Sequence, residues 1–416
     1  MNNLSDVIHM LPPMKSGTEL LSALEVLPEY DNSVCGSDAS VRLMALSDLY
    51  RIYVPNRMSL EIYSKLYLAL LRSLQKKGTK LAVQQQNQNF KAITQQEYSG
   101  IMGGSDSVTI IGASGIGKSS AISRAITLIT EGQIIEVENP YTKIIPCICV
   151  QCPFDSSVKG LLLEVLRKVD EVIDSKYYQN ALRARATTDM LIGSVSQVAL
   201  NHIGLLIVDE IQNVCNSKNG KSLVGMLTQL INNSGISICM VGTPESAVFF
   251  EQAMQLARRS LGLRYDVMEY GMDFRKFCEV LYSYQYVRNR TEITDAITEW
   301  LYEHTSGNIS VVVSLIHDAQ EIAILNGKEV LNLELLNEAY QQRLSMLHGF
   351  IQPSIPQVKQ TSKVHKRTSV SISKNKDNNS CGENISICEL VVRAKDEGTD
   401  IVQLLKEHMP VVEVAI

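Results

Sequence analysis

Gly112-Ala113-Ser114-Gly115-Ile116-Gly117-Lys118-Ser119 fits the spacing G-x-x-x-x-G-K-[ST] of a phosphate-cradling loop, and Ser120 continues it. Glycines let backbone N–H groups turn inward around phosphate oxygens, and a helix starting just after the loop adds a favourable dipole. On this reading Lys118 sets an ammonium against the β and γ phosphates of ATP, and the Ser119 hydroxyl ligates Mg2+. A second set lies at residues 205–210, LLIVDE, where an apolar run ends in two acids. Such a pair falls at the carboxyl end of a buried strand, where open α/β sheets bind ligands. Asp209 then joins Ser119 in holding Mg2+, and Glu210 polarises the attacking water. Thr243 ends the next apolar run, ISICMVGT, where it is expected to orient that water; capping the following helix is an equally natural role. Arg258 and Arg259, in LARRSLG, offer a guanidinium that would stabilise γ-phosphate charge in a neighbouring copy.

These residues need a scaffold that alternates strand and helix. VTIIG, KIIPCICVQC, GLLIVDE and ISICMVGT are apolar runs without period-two alternation, separated by helical patterns such as VKGLLLEVLRKVDEVI and SLVGMLTQLIN. Strands of that kind form a parallel sheet covered on both faces. From Phe274 to Leu347 the strands stop and helical periods follow one another, with Gly307 and Gly327 as breaks. Upstream, Leu43, Leu46, Leu49 and then Leu60, Tyr63, Tyr67, Leu70 and Leu74 recur at helical spacing, ahead of a glutamine-rich stretch that reads as a connector or a weakly held helix. After Pro353 a basic, serine- and asparagine-rich stretch reads as a linker, and residues 386–416 recover helical spacing behind a capping box at Ser386 and Glu389.

The bulk composition agrees with an ordinary globular protein. Of 416 residues, 45% are hydrophobic and 20% charged, and the net charge of −5 excludes a uniformly basic nucleic-acid coat. No apolar run reaches the roughly 20 residues of a membrane span, and the first residues lack a basic-then-apolar signal pattern. Nine scattered cysteines point away from a disulfide framework and toward the cytoplasm.

Beyond these motifs the chain resembles the TnsC (TniB-like) family of AAA+ transposition regulators. The blocks that carry the resemblance run in order from Val108 to Leu347: the phosphate loop, CPFDSSVKGL, HIGLLIVDEIQNV, VGTPES, LARRSLG, YSYQYVR and LYEHTSGNISVVVSLIHDAQ. It implies an α/β fold with an AAA+ P-loop parallel-sheet core, a helical lid, a helical N-terminal region and a flexible C-terminal tail. The implied segments are an N-terminal region over 1–95 with DNA contact, a core over 96–272, a lid over 273–350, a basic linker over 351–385 and a partner-binding tail helix over 386–416. The implied protein is a bacterial, nucleoid-associated ATP hydrolase. It assembles with itself on double-stranded DNA as a heptamer-like ring or a continuous filament. It links a target-selection protein to transposase subunits, the latter through its tail, and ATP hydrolysis resets it. The family's nucleotide roles fall on Lys118, Ser119, Asp209, Glu210, Thr243 and one of Arg258 or Arg259. One departure stands out: relatives often carry a sensor arginine after the lid glycine, whereas Gly307 is followed by Asn308, Ile309 and Ser310.

DNA contact is expected in two places. Residues 51–91 hold eight basic residues, Lys76 and Lys77 among them, against the single acid Glu61. NALRARATTDM supplies Arg183, Arg185, Thr187 and Thr188 where the family puts pore-facing residues. Lysines and arginines on phosphates give salt-dependent binding without sequence preference. The interleaved tyrosines read as core, because they fall on the apolar stripe. Cys147, Cys149 and Cys152 lack the second ligand pair that structural zinc needs, and His317 reads as packing. Two further readings share the nucleotide motifs: a helicase-loader or initiator-like ATPase, and a nucleotide-dependent scaffold with negligible hydrolysis.

Overall fold

The computed structural model describes residues 4–77, 79–95, 107–138, 141–216, 220–247 and 260–345. Among them six strands form one sheet: β1 (Ser107–Gly112), β2 (Ile135–Glu138), β3 (Tyr141–Gln151), β4 (Ile203–Asp209), β5 (Ser237–Gly242) and β6 (Ser260–Tyr265). Their order is β2-β3-β4-β5-β1-β6, and every pairing is parallel except the β2–β3 hairpin. The apolar runs lack polar alternation because both faces of the sheet are covered. In β4, Leu205 and Ile207 enter one core, whereas Ile203, Leu206 and Val208 enter the other. The neighbouring β5 divides in the same way, with Cys239 and Val241 opposite Ile238 and Met240.

The helices preceding the sheet are α1 (Gly17–Leu24), α2 (Ala39–Ala45), α3 (Arg57–Lys76) and α4 (Lys80–Gln95). Within and beside the sheet come α5 (Lys118–Thr130), α6 (Val158–Ile173), α7 (Tyr177–Arg183), α8 (Thr188–His202) and α9 (Gly220–Ser234). Helices α3 and α5 pack on one face, α6, α8 and α9 on the other. The lid follows as α10 (Met272–Ser283), α11 (Asp295–Thr305), α12 (Ile309–Leu325) and α13 (Leu333–Arg343). A mainly parallel sheet covered by helices on both faces and followed by a run of helices is the α/β layout that the apolar runs predicted. Among the described residues no single helix is long and apolar enough to cross a membrane.

Two features differ from the sequence-based expectations, and one open alternative is decided. The region before residue 96 is no separate layer. Helix α3 buries Ile62, Tyr63, Leu66, Leu70 and Leu74 in the core of the sheet, and its Ala69 carbonyl accepts a 2.8 Å hydrogen bond from Ser237 Oγ. Leu46, Leu49 and Ile52 instead join the lid core, and the buried Arg42 reaches Glu329 beside α12 through two bonds of 2.5 and 2.8 Å. Apolar helix stripes of this length need partners, and the sheet and lid supply them. The described residues belong to one compact unit.

Of the two readings of the glutamine-rich stretch, the helix is the one found: α4 packs against α8 and α9. Its buried polar residues are satisfied: Gln85 Nε2 donates to Asn89 Oδ1, and Asn89 Nδ2 to the Asn233 carbonyl, both at 2.9 Å.

Lys77 is the second correction. It is buried, and its Nζ donates to the carbonyls of Ala199 (3.0 Å) and Leu200 in the last turn of α8. An ammonium satisfies helix-end carbonyls well, but a side chain enclosed this way cannot reach a DNA phosphate. Burial pushes its pKa down to about 7. The unfolded amine titrates near ~10.4, so between those values the unfolded chain holds more protons and stability rises with pH. A Lys77→Met variant should lose that rise. Melting temperatures of both proteins at about pH 6.5 and about pH 9.5 check it; equal slopes would refute it.

The basic linker and the tail helix expected over 351–416 lie outside the described residues.

Candidate functional site

The loop between β1 and α5 has the backbone its sequence requires. Gly115 and Gly117 hold φ of +81° and +92°, values that side chains oppose, and Gly117 caps α5 at Lys118. At Gly112 a Cβ would come within 2.6 Å of both Ile116 Cδ1 and the Tyr265 carbonyl oxygen. The chain therefore turns tightly from strand to helix, and the N-terminus of α5 opens beside a cavity of about 400 Å³.

Lys118 lies across the loop, its Nζ donating to the carbonyls of Gly112 and Ala113, both at 2.7 Å. Burial lowers its pKa, and the carboxylates of Asp209 and Glu210 oppose that shift. Register brings the second motif to the same place. Asp209 pairs with Gln151 at the strand end, and its Oδ2 accepts from Ser119 Oγ at 3.2 Å across 90 residues of sequence. A hydroxyl and a carboxylate side by side are the hard oxygen donors that Mg2+ prefers, so this pair suits that ion.

Glu210 is exposed and takes a left-handed φ of +57°. Its backbone N–H donates to Asp209 Oδ1 at 2.8 Å, and its carbonyl accepts from Asn213 N at 3.1 Å. Thr243 follows β5 and lines the cavity with Ser119, Asp209 and Glu210. Its carbonyl also accepts from Ser246 N at 3.0 Å and Ser246 Oγ at 2.6 Å, so the turn after β5 is closed by the backbone and Ser246. Ser114, Gly115, Ile116, Gly117, Lys118, Ser119 and Ser120 thus meet Asp209, Glu210 and Thr243 around one space, while Gly112 and Ala113 stand behind it as the carbonyl partners of Lys118. Arg258 and Arg259 lie outside the described residues.

Three contributions escaped the sequence reading. Gln212 donates through Nε2 to Glu210 Oε2, and its Oε1 accepts from Thr243 N at 3.3 Å. The lid touches the loop directly: Asn308 Nδ2 donates to the Ser114 carbonyl at 2.9 Å, and Ser310 N to the Gly115 carbonyl at 3.0 Å. A Cβ at Gly115 would fall 2.4 Å from Ser310 Oγ and 2.5 Å from Asn308 Oδ1. The positions following Gly307, where an arginine was sought, therefore hold neutral side chains docked on the loop. The third contribution is Tyr53, Asn56 and Met58, which wall the cavity from the N-terminal side. A signal for Asn308 existed in its N-cap position at the start of α12, but the cap says nothing about the loop.

The residues expected on DNA scatter. Arg183 and Arg185 are exposed around the turn from α7 to α8, and Arg185 has φ +48°. Thr187 caps α8 through Met190 N (3.4 Å), and Thr188 is half-buried in its first turn. Lys76 is half-buried at the end of α3, and Lys77 belongs to the core as described. Tyr63 and Tyr67 are core residues as their spacing predicts. Of the cysteines, Cys149 is exposed and Cys152 is buried, and burial pushes the Cys147 thiol on β3 up to about 12. His317 packs on the Tyr50 ring at 4.9 Å between centroids.

Residues 82–265 match the family model described as Bacterial TniB protein. Over that segment the chain is TniB-like. The match takes in the phosphate loop, the acidic strand end and Thr243, and it stops at the last residue of β6. No curated protein matches the chain. Among solved structures it is similar to Aeropyrum pernix ORC1 in complex with DNA, with 13% identity, 66% of this chain and 68% of that one covered, and a TM-score of 0.40. It is also similar to Drosophila ORC bound to DNA, with 12% identity, coverage of 95% and 82%, and a TM-score of 0.46. Domain III of the Thermotoga maritima replication initiation protein DnaA gives 13%, 63% and 92%, and 0.35.

Proposed function

We propose that this chain is an ATP-dependent, DNA-binding regulator of transposition. It assembles with itself on double-stranded target DNA, connects a target-selection protein to the transposase, and is reset by ATP hydrolysis. The observation that carries the reading is the convergence of Lys118, Ser119, Asp209, Glu210 and Thr243 on one cavity within a TniB-like segment.

The chemistry follows from those side chains. Loop N–H groups and the α5 terminus receive the phosphates, and Lys118 exchanges its carbonyl partners for β and γ oxygens. Ser119 and Asp209 would hold Mg2+, which when bound would neutralise phosphate charge. Glu210 accepts a proton from the water that attacks the γ phosphorus while the bond to the ADP oxygen breaks. Thr243 orients that water, and Arg258 or Arg259 reaches the γ-phosphate of a neighbouring copy. The exposed Arg183 and Arg185 make backbone contacts to DNA in the assembly, without base preference.

Sedimentation and electron imaging with double-stranded DNA, with and without a slowly hydrolysed ATP analogue, test the reading. Rings or filaments that need the analogue and weaken with salt are the expected result. A monomer that binds ATP and ignores DNA at every salt concentration would refute it.

A further inference from the structure

Resting on ATP hydrolysis at this site, we propose that Gln212 is a positioning residue for the reaction: its amide ties the Glu210 carboxylate to the backbone at Thr243, so that base and strand end move as one unit. Gln212 sits on the short turn Ile211–Asn216 after β4 and is half-buried at the cavity wall. The carboxylamide group carries a donor and an acceptor at one tip, and both are used. Nε2 donates to Glu210 Oε2, while Oε1 accepts from Thr243 N at 3.3 Å. A carboxylate in this place would repel Glu210, and an apolar side chain would hold neither partner.

Two further observations support a built contact. A Cβ at Gly242 would lie 3.1 Å from Gln212 Oε1 and 2.7 Å from Ile211 Cγ2, so the glycine keeps open the space in which the amide reaches Thr243. Glu210 is exposed and its backbone is fixed in the left-handed region by Asp209 and Asn213. Its side chain is the free element of the pair, and Gln212 removes that freedom. One carboxylate oxygen is engaged and Oε1 is left to take the proton from water. Hydrolysis depends on that oxygen's position within about an ångström, and a misplacement of that size costs roughly 100-fold in favourable cases. The Thr243 link anchors the base at a second point, the backbone at the end of β5.

The test uses the full-length protein with DNA, measuring phosphate release and ATP binding separately. Gln212→Met keeps length and volume and loses both hydrogen bonds. Its kcat should fall about tenfold or more while KM and Kd for ATP stay within about twofold. Gln212→Glu keeps the acceptor for Thr243 N and sets a second carboxylate against Glu210. The two repel, so this variant should lose kcat as the Met variant does while ATP affinity holds. A merely structural role for Gln212 would not lower kcat separately from ATP affinity. Two results overturn the proposal: a Met variant with kcat within about twofold of wild type, or one whose ATP affinity collapses together with kcat. Wild-type protein that binds ATP and DNA but releases no phosphate is a different outcome. It overturns the hydrolysis reading itself, and the role of Gln212 with it.

Discussion

Replacing Glu210 by glutamine is expected to lower ATP turnover by about 100-fold or more while ATP still binds. The carboxylate has no part in the phosphate cradle: its contacts are to Gln212 and, through its backbone, to Asp209 and Asn213. Removing its charge therefore takes away the proton acceptor and leaves Lys118, Ser119 and Asp209 in place. A glutamine carbonyl can still accept from Gln212, so the local geometry survives. The consequence for assembly follows from mass action, because a state that binds ATP and cannot discharge it accumulates. Glu210→Gln protein should persist on DNA with ATP as wild-type protein does with a non-hydrolysable analogue. Phosphate release and DNA dissociation rates measured on the same sample decide it. Unchanged turnover would remove Glu210 from the reaction. Unchanged dissociation alongside lost turnover would separate hydrolysis from release, and would favour the nucleotide-dependent scaffold over the resettable regulator.

Lys118→Ala should weaken ATP binding by about 100-fold or more, equivalent to roughly 2.7 kcal/mol. Lys118 is the cation whose Nζ rests on the loop itself, bonded to two of its carbonyls, so phosphate oxygens can replace those acceptors without moving the side chain far. Burial already disfavours its charge, and the incoming phosphates restore the favoured partner. The fold should survive the substitution, because Lys118 itself borders an open cavity from which water can replace its ammonium. Thermal unfolding with and without ATP separates the effects. Wild-type protein should gain melting temperature with ATP and the variant should not, from a similar baseline. A variant that still responds to ATP at the wild-type concentration would place the phosphates elsewhere.

The division between what was legible in the sequence and what needed the structure follows the range of the interactions. The phosphate loop is one contiguous turn whose glycine positions are dictated by local backbone sterics, so Gly115 and Gly117 declare themselves. Strands β1, β4 and β5 were equally plain, because a strand covered on both faces must be apolar at successive positions. The acids at the end of β4 followed from that strand. Residues expected on DNA were less determinate, since a run of lysines has the same spelling on a surface and in a core. Lys77 fell on the wrong side of that ambiguity: only the approach of α8, 122 residues later, supplies the carbonyls that bury it.

Tertiary structure alone decided the contacts between distant segments. Neither composition nor period announces that Ser310 and Asn308 will rest on Gly115 and Ser114, or that α3 will spend its apolar stripe on the sheet instead of on a domain of its own. Gln212 is the plainest case. Two residues past an acidic pair it looks like any polar loop residue. It becomes a bridge because parallel pairing sets the end of β5 beside the end of β4, which brings Thr243 within reach of its amide. Local sterics and periodic burial are written along the chain. A hydrogen bond between two strand ends exists only once the register of the sheet has been set.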